Sequence, residues 1–263
     1  MLPSRPGGIF FLIFRAGCLV TISLLVYSST LAAGQGRSNV VCGEEFSSKR
    51  RNELETKLRK ITGWSDLSFD LKGALRGGSR EPVGGSASAR ALVAQAIAGP
   101  AVVLLEDASK RSDVAFCQVL ISQGKGIQEA GNPLSHVVLI DFEDFEHVMG
   151  DERALDAFDI GWGFLHELDH IVNDSDDPTF RNETGECETN INQMRRECNL
   201  PQRTSYFYTL LPLTTDKAFM TRLVCLAFDQ EQTASSKKKR YWVVWDANVV
   251  GGLDEQKQIA GLR

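Results

Sequence analysis

Residues 160–172, IGWGFLHELDHIV, leave little choice of structure. Apolar side chains crowd the run that starts at Ala154, which marks a helix with a buried face rather than a solvated one. Into that face the segment places His166, Glu167 and His170. Two histidines four apart on a helix share a face, about one turn (~6 Å) from each other. A buried imidazole needs a partner, and a cation bound to both rings supplies one. The chain has only four histidines, and two are used here. Gly161 and Gly163 weaken the helix by up to ~1 kcal/mol each but let a neighbour come close.

The H-E-x-x-H pattern assigns roles. His166 and His170 are candidate ligands of a zinc ion, Zn2+, at ~2.0–2.1 Å. Glu167 lies about 100° further round the helix, where it reaches a water on the metal without being a ligand. With these residues in view, the chain resembles the zincin metallopeptidases. The resemblance implies Glu167 as general base and proton shuttle, and a third ligand from elsewhere in the chain. Glu188 lies 18 residues after His170, close to the separation in gluzincins, and is the favoured third ligand. Asn192, four residues on, stands where a gluzincin has an acid supporting a histidine ligand. Glu183 and Glu186 are rivals. So is Asp176, at the metzincin-like spacing of HELDHIVNDSD, where Asn173 replaces the glycine of that pattern.

The stretch from Asn190 to Tyr206 is loosely similar to bacterial toxin-like and effector-like zinc peptidases, which carry an N-x-x-R helix ending in L-P-x-R. It brings in Arg195 as an ion-pairing residue, and Arg203, Tyr206 and Tyr208 as candidates to stabilise an oxyanion.

Organisation follows from the pattern. Residues 1–33 read as an export signal: an apolar run over 16–27, then small residues suited to cleavage near Ala32 or Ala33. The rival, an uncleaved anchor over 8–28, is interrupted by Arg15. Residues 34–88 read as an N-terminal helix (44–62) and a Gly-rich linker, and 89–263 as the zincin-like domain. In that domain we expect a helix at 89–98 and a hairpin of 101–106 with 114–122. A loop at 125–133, a strand at 136–142 and the motif helix at 151–173 follow. A second helix at 186–199 and a hairpin of 223–228 with 241–246 complete it, with Lys237–Arg240 in or beside the last loop. The fold class is α+β: a small antiparallel or mixed sheet packed on the motif helix and a second, ligand-bearing helix.

Export would place the protein in a secreted or periplasmic setting that permits disulfides. Five cysteines remain after Cys18, an odd number, so at least one is unpaired within the chain. Asn173 and Asn182 match glycosylation sequons. The formal charge of −5 points away from a nucleic-acid partner and, after signal cleavage, no stable membrane association is expected. The expected partner is a peptide or protein substrate. Two alternatives stand beside a zinc peptidase. One is an exported, non-enzymatic protein with a structural zinc closed by a fourth ligand such as Asp174 or Cys187. The other is a zinc hydrolase of a non-peptide substrate.

Overall fold

The computed structural model describes residues 38–109, 111–121, 134–181, 183–211, 222–232 and 235–251. The expected export signal, the loop at 125–133 and the sequon at Asn182 lie outside them. The elements are β1 (Val40–Cys42), α1 (Ser48–Thr62), β2 (Ser68–Phe69), β3 (Leu75–Arg76), α2 (Ala87–Ala98), β4 (Val102–Asp107), β5 (Cys117–Ile121) and β6 (Ser135–Ile140). They continue as α3 (Phe142–Glu146), β7 (Met149–Gly150), α4 (Glu152–Leu155), α5 (Ile160–Asn173), α6 (Gly185–Glu197), β8 (Gln202–Arg203), β9 (Thr209–Leu210), β10 (Leu223–Gln232) and β11 (Ser235–Asp246). This is a mixed α+β protein with small sheets and several helices. No helix among the described residues is long and apolar enough to cross a membrane.

The main sheet has the order β1-β4-β6-β5. β1, β4 and β6 run parallel, and β5 is antiparallel to β6 at the edge, with Val119 opposite Val138. The expected hairpin of β4 and β5 is therefore not formed: β6 inserts between them. Local turn chemistry suggested adjacency, but the parallel β4–β6 ladder carries six aligned pairs. The segment read as an N-terminal helix and linker gives β1 to this sheet and α1 to the core, through Leu54, Leu58 and Ile61.

Helix ends follow side-chain caps. Ser47 caps α1 by accepting the Arg50 amide, and Gly63, in the left-handed region at φ 75°, ends it. The expected helix at 151–173 is divided. Asp159 takes an extended backbone, and its carboxylate accepts the amides of Gly161 and Trp162, so α5 starts afresh at Ile160. α5 then runs through the core, with Trp162, Phe164, Leu165 and Leu168 buried. A side chain on Gly161 would meet Ile61 and Lys57 of α1 at 2.8 and 2.9 Å, so this glycine sets the approach of that helix.

The second sheet is antiparallel, in the order β7-β11-β10-β8, with β9 also on β10. Its hairpin is longer than expected. Lys237–Arg240 lie beside the loop, inside β11, with Arg240 paired to Asp229 across the ladder. None of the five cysteines from Cys42 to Cys225 is in a disulfide.

Candidate metal centre

The two motif histidines occupy the same face of α5, with ring centroids 4.8 Å apart. Each ring is held at Nδ1. His170 Nδ1 lies 2.6 Å from the Ser175 carbonyl, which fixes it as the N–H donor and leaves Nε2 with its lone pair. His166 Nδ1 faces the Glu188 carboxylate at 3.6 Å and the Cys187 thiol at 3.3 Å. The two Nε2 atoms meet a residue that sequence reasoning did not select. Asp177 Oδ1 is 3.2 Å from His166 Nε2, and its Oδ2 is 3.6 Å from His170 Nε2.

A run of four residues after α5 creates this arrangement. Asp174 ends the helix in the left-handed conformation, φ 55°. Ser175 offers its carbonyl to His170. Asp176 spends its own carbonyl on the amides of Glu186 and Cys187, which start α6. Asp177 then turns its carboxylate to the imidazoles. The Asp176 side chain is exposed, and the one-residue difference decides which acid faces the histidines.

Glu188 is brought close to His166, but at Nδ1, the end of the ring away from Asp177. Its carboxylate bonds Arg195 and lies 3.3 Å from Arg203 Nη1. Burial pushes this carboxyl up, and the two guanidiniums more than reverse that, holding it below its ordinary range. Asn192 locks the group: its Oδ1 accepts from Arg195 at 2.9 Å and from the Arg203 amide at 2.8 Å. Glu183 and Glu186 are exposed.

Tyr206 donates its hydroxyl to Asp177 Oδ2 at 2.7 Å, and its ring stacks on His166 at 5.9 Å. Arg203 bonds the Tyr206 carbonyl, so one guanidinium ties the supports of both histidines together. Tyr208 has a buried hydroxyl without a partner among the described residues.

Glu167 is buried at 7% exposure and points to the main sheet. Its Oε2 accepts the Val119 amide of β5 at 2.8 Å. Burial raises its carboxyl above the ordinary value, against the opposing pull of His166 and His170. The strand comes this near because residue 163 is glycine. A Cβ there would lie 2.8 Å from Cys117 Sγ and 3.1 Å from the Phe145 ring. The β5 edge beyond Val119 has no strand partner among the described residues.

The donor set suits a metal ion. Four tetrahedral ligands at ~2.0–2.1 Å from zinc are spaced about 3.3 Å from one another. The two histidine-to-Asp177 separations, 3.2 and 3.6 Å, bracket that spacing. One donor atom from each of His166, His170, Asp177 and Cys187 lies within 4.8 Å of all the others.

No family model matches the chain, and no curated protein or solved structure matches it.

Proposed function

We propose that the protein is a zincin-like, zinc-dependent peptidase with His166, His170 and Asp177 as metal ligands and Glu167 as general base. The observation that carries this reading is the convergence of both Nε2 atoms on one carboxylate, at 3.2 Å from one of its oxygens and 3.6 Å from the other. Asp177 replaces Glu188 in the ligand set. Glu188 acts instead on His166 through its charge, a carboxylate 3.6 Å from Nδ1 that raises the basicity of the ring.

Bound zinc supplies Lewis-acid polarisation of a carbonyl and makes a water more acidic, toward a pKa of ~7. The chain does the rest. Val119 N–H holds one oxygen of Glu167 and leaves Oε1 to take a proton and return it to the departing amine. The outer edge of β5, which has no strand partner among the described residues, offers the backbone groups beyond the Val119 amide on which an extended peptide adds as a strand. Tyr206 stacks on His166 and spends its hydroxyl on Asp177, so it positions the proposed ligand carboxylate. A hydrolase with another substrate would use the same groups; an edge strand without a partner among the described residues favours a peptide.

The test is metal analysis of the purified chain, then turnover of a peptide library with zinc supplied. Glu167→Gln is expected to keep stoichiometric zinc and lower turnover by about 10²–10⁴. Cleavage by that variant at the wild-type rate overturns the mechanism.

Cys187 favours a second reading. Its thiol is near enough to be a fourth ligand and would close the coordination sphere, as in structural zinc sites. Burial holds this thiol well above its ordinary pKa, and it donates to the His166 carbonyl at 3.3 Å, both of which oppose ligation. Cys187→Ala separates the readings: a peptidase keeps its zinc, whereas a closed structural site loses it.

A further inference from the structure

Of the two acids in α5, Glu167 and Asp169, the proposed reaction uses only Glu167. Asp169 is wholly buried, at 0% exposure. A carboxylate out of water is costly unless its oxygens are bonded, and an apolar side chain would fill the same space without that cost. What the acid holds in place is therefore informative.

Its partners are two side-chain amides. Asn173 Nδ2, one turn on along α5, donates to Oδ1 at 2.6 Å. Asn190 Nδ2, on α6, donates to Oδ2 at 3.0 Å. Both neighbours present N–H groups, and a carboxylate, which only accepts, satisfies both; an amide at 169 would turn a donor toward one of them. The Asn190 nitrogen also donates to Ser175 Oγ at 3.2 Å. Ser175 is buried at 4% exposure, and its carbonyl meets His170 Nδ1. The bonds thus form a closed path, from Asp169 through Asn190 to Ser175 and back to α5 at His170, the next residue. Successive helix residues point about 100° apart, so Asp169 and His170 hold the turn at 174–177 from two directions. Asn173 is the last residue of α5, where the chain leaves for that turn. On α6, Glu188 faces the ring of His166, and Asn190, two residues on, serves His170.

We propose that Asp169 is a positioning residue of the metal centre. Through Asn190 it holds the turn so that the Ser175 carbonyl keeps His170 as the Nδ1–H tautomer, with Nε2 left for the cation. The assignment rests on the zinc reading for its effect on metal binding, but the ordering of His170 can be read in the metal-free chain.

Three variants of the full chain test it. Asp169→Asn sets an amide against the amides. Ser175→Ala leaves the Asp169–Asn190 bond and cuts only the link to the turn. Asp169→Asn with Asn190→Asp exchanges the pair, so that the carboxylate on α6 accepts from the amide on α5 and from the Ser175 hydroxyl. NMR of the ring nitrogens in the metal-free chain reads the His170 tautomer at about pH 9, where an ordinary imidazole is neutral. The wild type should show Nδ1–H alone, the first two variants both tautomers, and the exchanged pair one again. Zinc competition titration should show a loss of about tenfold or more for Asp169→Asn and about threefold or more for Ser175→Ala. The exchanged pair should lie within about threefold of the wild type.

A residue that only staples α5 to α6 would lower stability in chemical denaturation and leave His170 in one tautomer. That result in both Asp169→Asn and Ser175→Ala overturns the proposal. If Asp169→Asn does not fold, Ser175→Ala and the exchanged pair decide by the same criterion. A wild-type chain that takes up no zinc ends the peptidase reading, and the tautomers still judge Asp169. Zinc bound equally by all four chains, with one tautomer throughout, leaves the peptidase reading in place and removes Asp169 from it.

Discussion

Glu167 and Val119 are joined at 2.8 Å, a side-chain carboxylate on the motif helix accepting a backbone amide from the edge strand. Helix and strand are 48 residues apart in sequence at this contact, and the bond fixes their separation. Because Val119 points this amide away from β6, the bond costs the β5–β6 ladder nothing.

That separation depends on Gly163. Gly163→Val is expected to destabilise the fold by about 1–3 kcal/mol through overpacking against Cys117 and Phe145. Chemical denaturation measures the loss. Adding Cys117→Ala removes the nearer obstruction and should restore part of the stability, whereas a purely local helix effect would leave the double variant no better.

The ligand assignment separates two neighbouring acids. Asp177→Asn should weaken zinc binding by at least about tenfold, because it removes a charged donor facing both imidazoles. Asp176→Asn, at an exposed side chain whose role is played by its carbonyl, should change affinity less than twofold. Zinc competition titrations with a chromophoric chelator check both; equal losses would refute Asp177 as the ligand.

Glu188→Gln leaves Arg195 and Arg203 facing a neutral amide in a buried site. Removing one partner of a buried pair is expected to cost about 3–5 kcal/mol in stability. Zinc affinity should fall by about 10–100-fold while stoichiometry stays at one ion, the behaviour of a group that orients a ligand. Complete loss of zinc from a folded variant would return Glu188 to the ligand set.

Acid stability has a contributor far from the metal. Glu197, at the end of α6, accepts from the Ser86 hydroxyl and from the amide and hydroxyl of Ser88 at the start of α2. Burial raises its carboxyl, but these bonds outweigh that and lower it from 4.5 to about 2. A folded pKa below the unfolded one contributes stability above pH 4.5 that is lost as pH falls toward about 2. Glu197→Gln should therefore flatten the fall of melting temperature across that window by about one proton's worth of slope, and leave the slope near pH 7 unchanged.

What could be read without coordinates was local. α5 and its two histidines follow from apolar crowding and four-residue spacing, and β6 from the run HVVLI. Helical periodicity continues across Asp159, and only the carboxylate bound to Gly161 and Trp162 reveals the restart. Spacing does not point to Asp177, because residue spacing past a helix end says little once the chain leaves the helix. A left-handed Asp174 and a carbonyl contact from Asp176 to α6 decide which acid faces the imidazoles. The spacing brings Glu188 to the histidines because α6 returns to α5, but Arg195 of the same helix and Arg203 hold its oxygens. The order β4-β6-β5 rests on non-local pairing, which turn residues between β4 and β5 do not encode.

The single antiparallel neighbour in an otherwise parallel main sheet also gives the cleft a direction of travel. A chain laid antiparallel along β5 runs the same way as β1, β4 and β6, so its amino and carboxyl ends cannot be exchanged. A peptide and its reversed sequence present the same side chains in mirrored order. On the peptidase reading, that fixed direction puts the backbone nitrogen of either one on the same side, so the two differ only in the side chains that flank the bond.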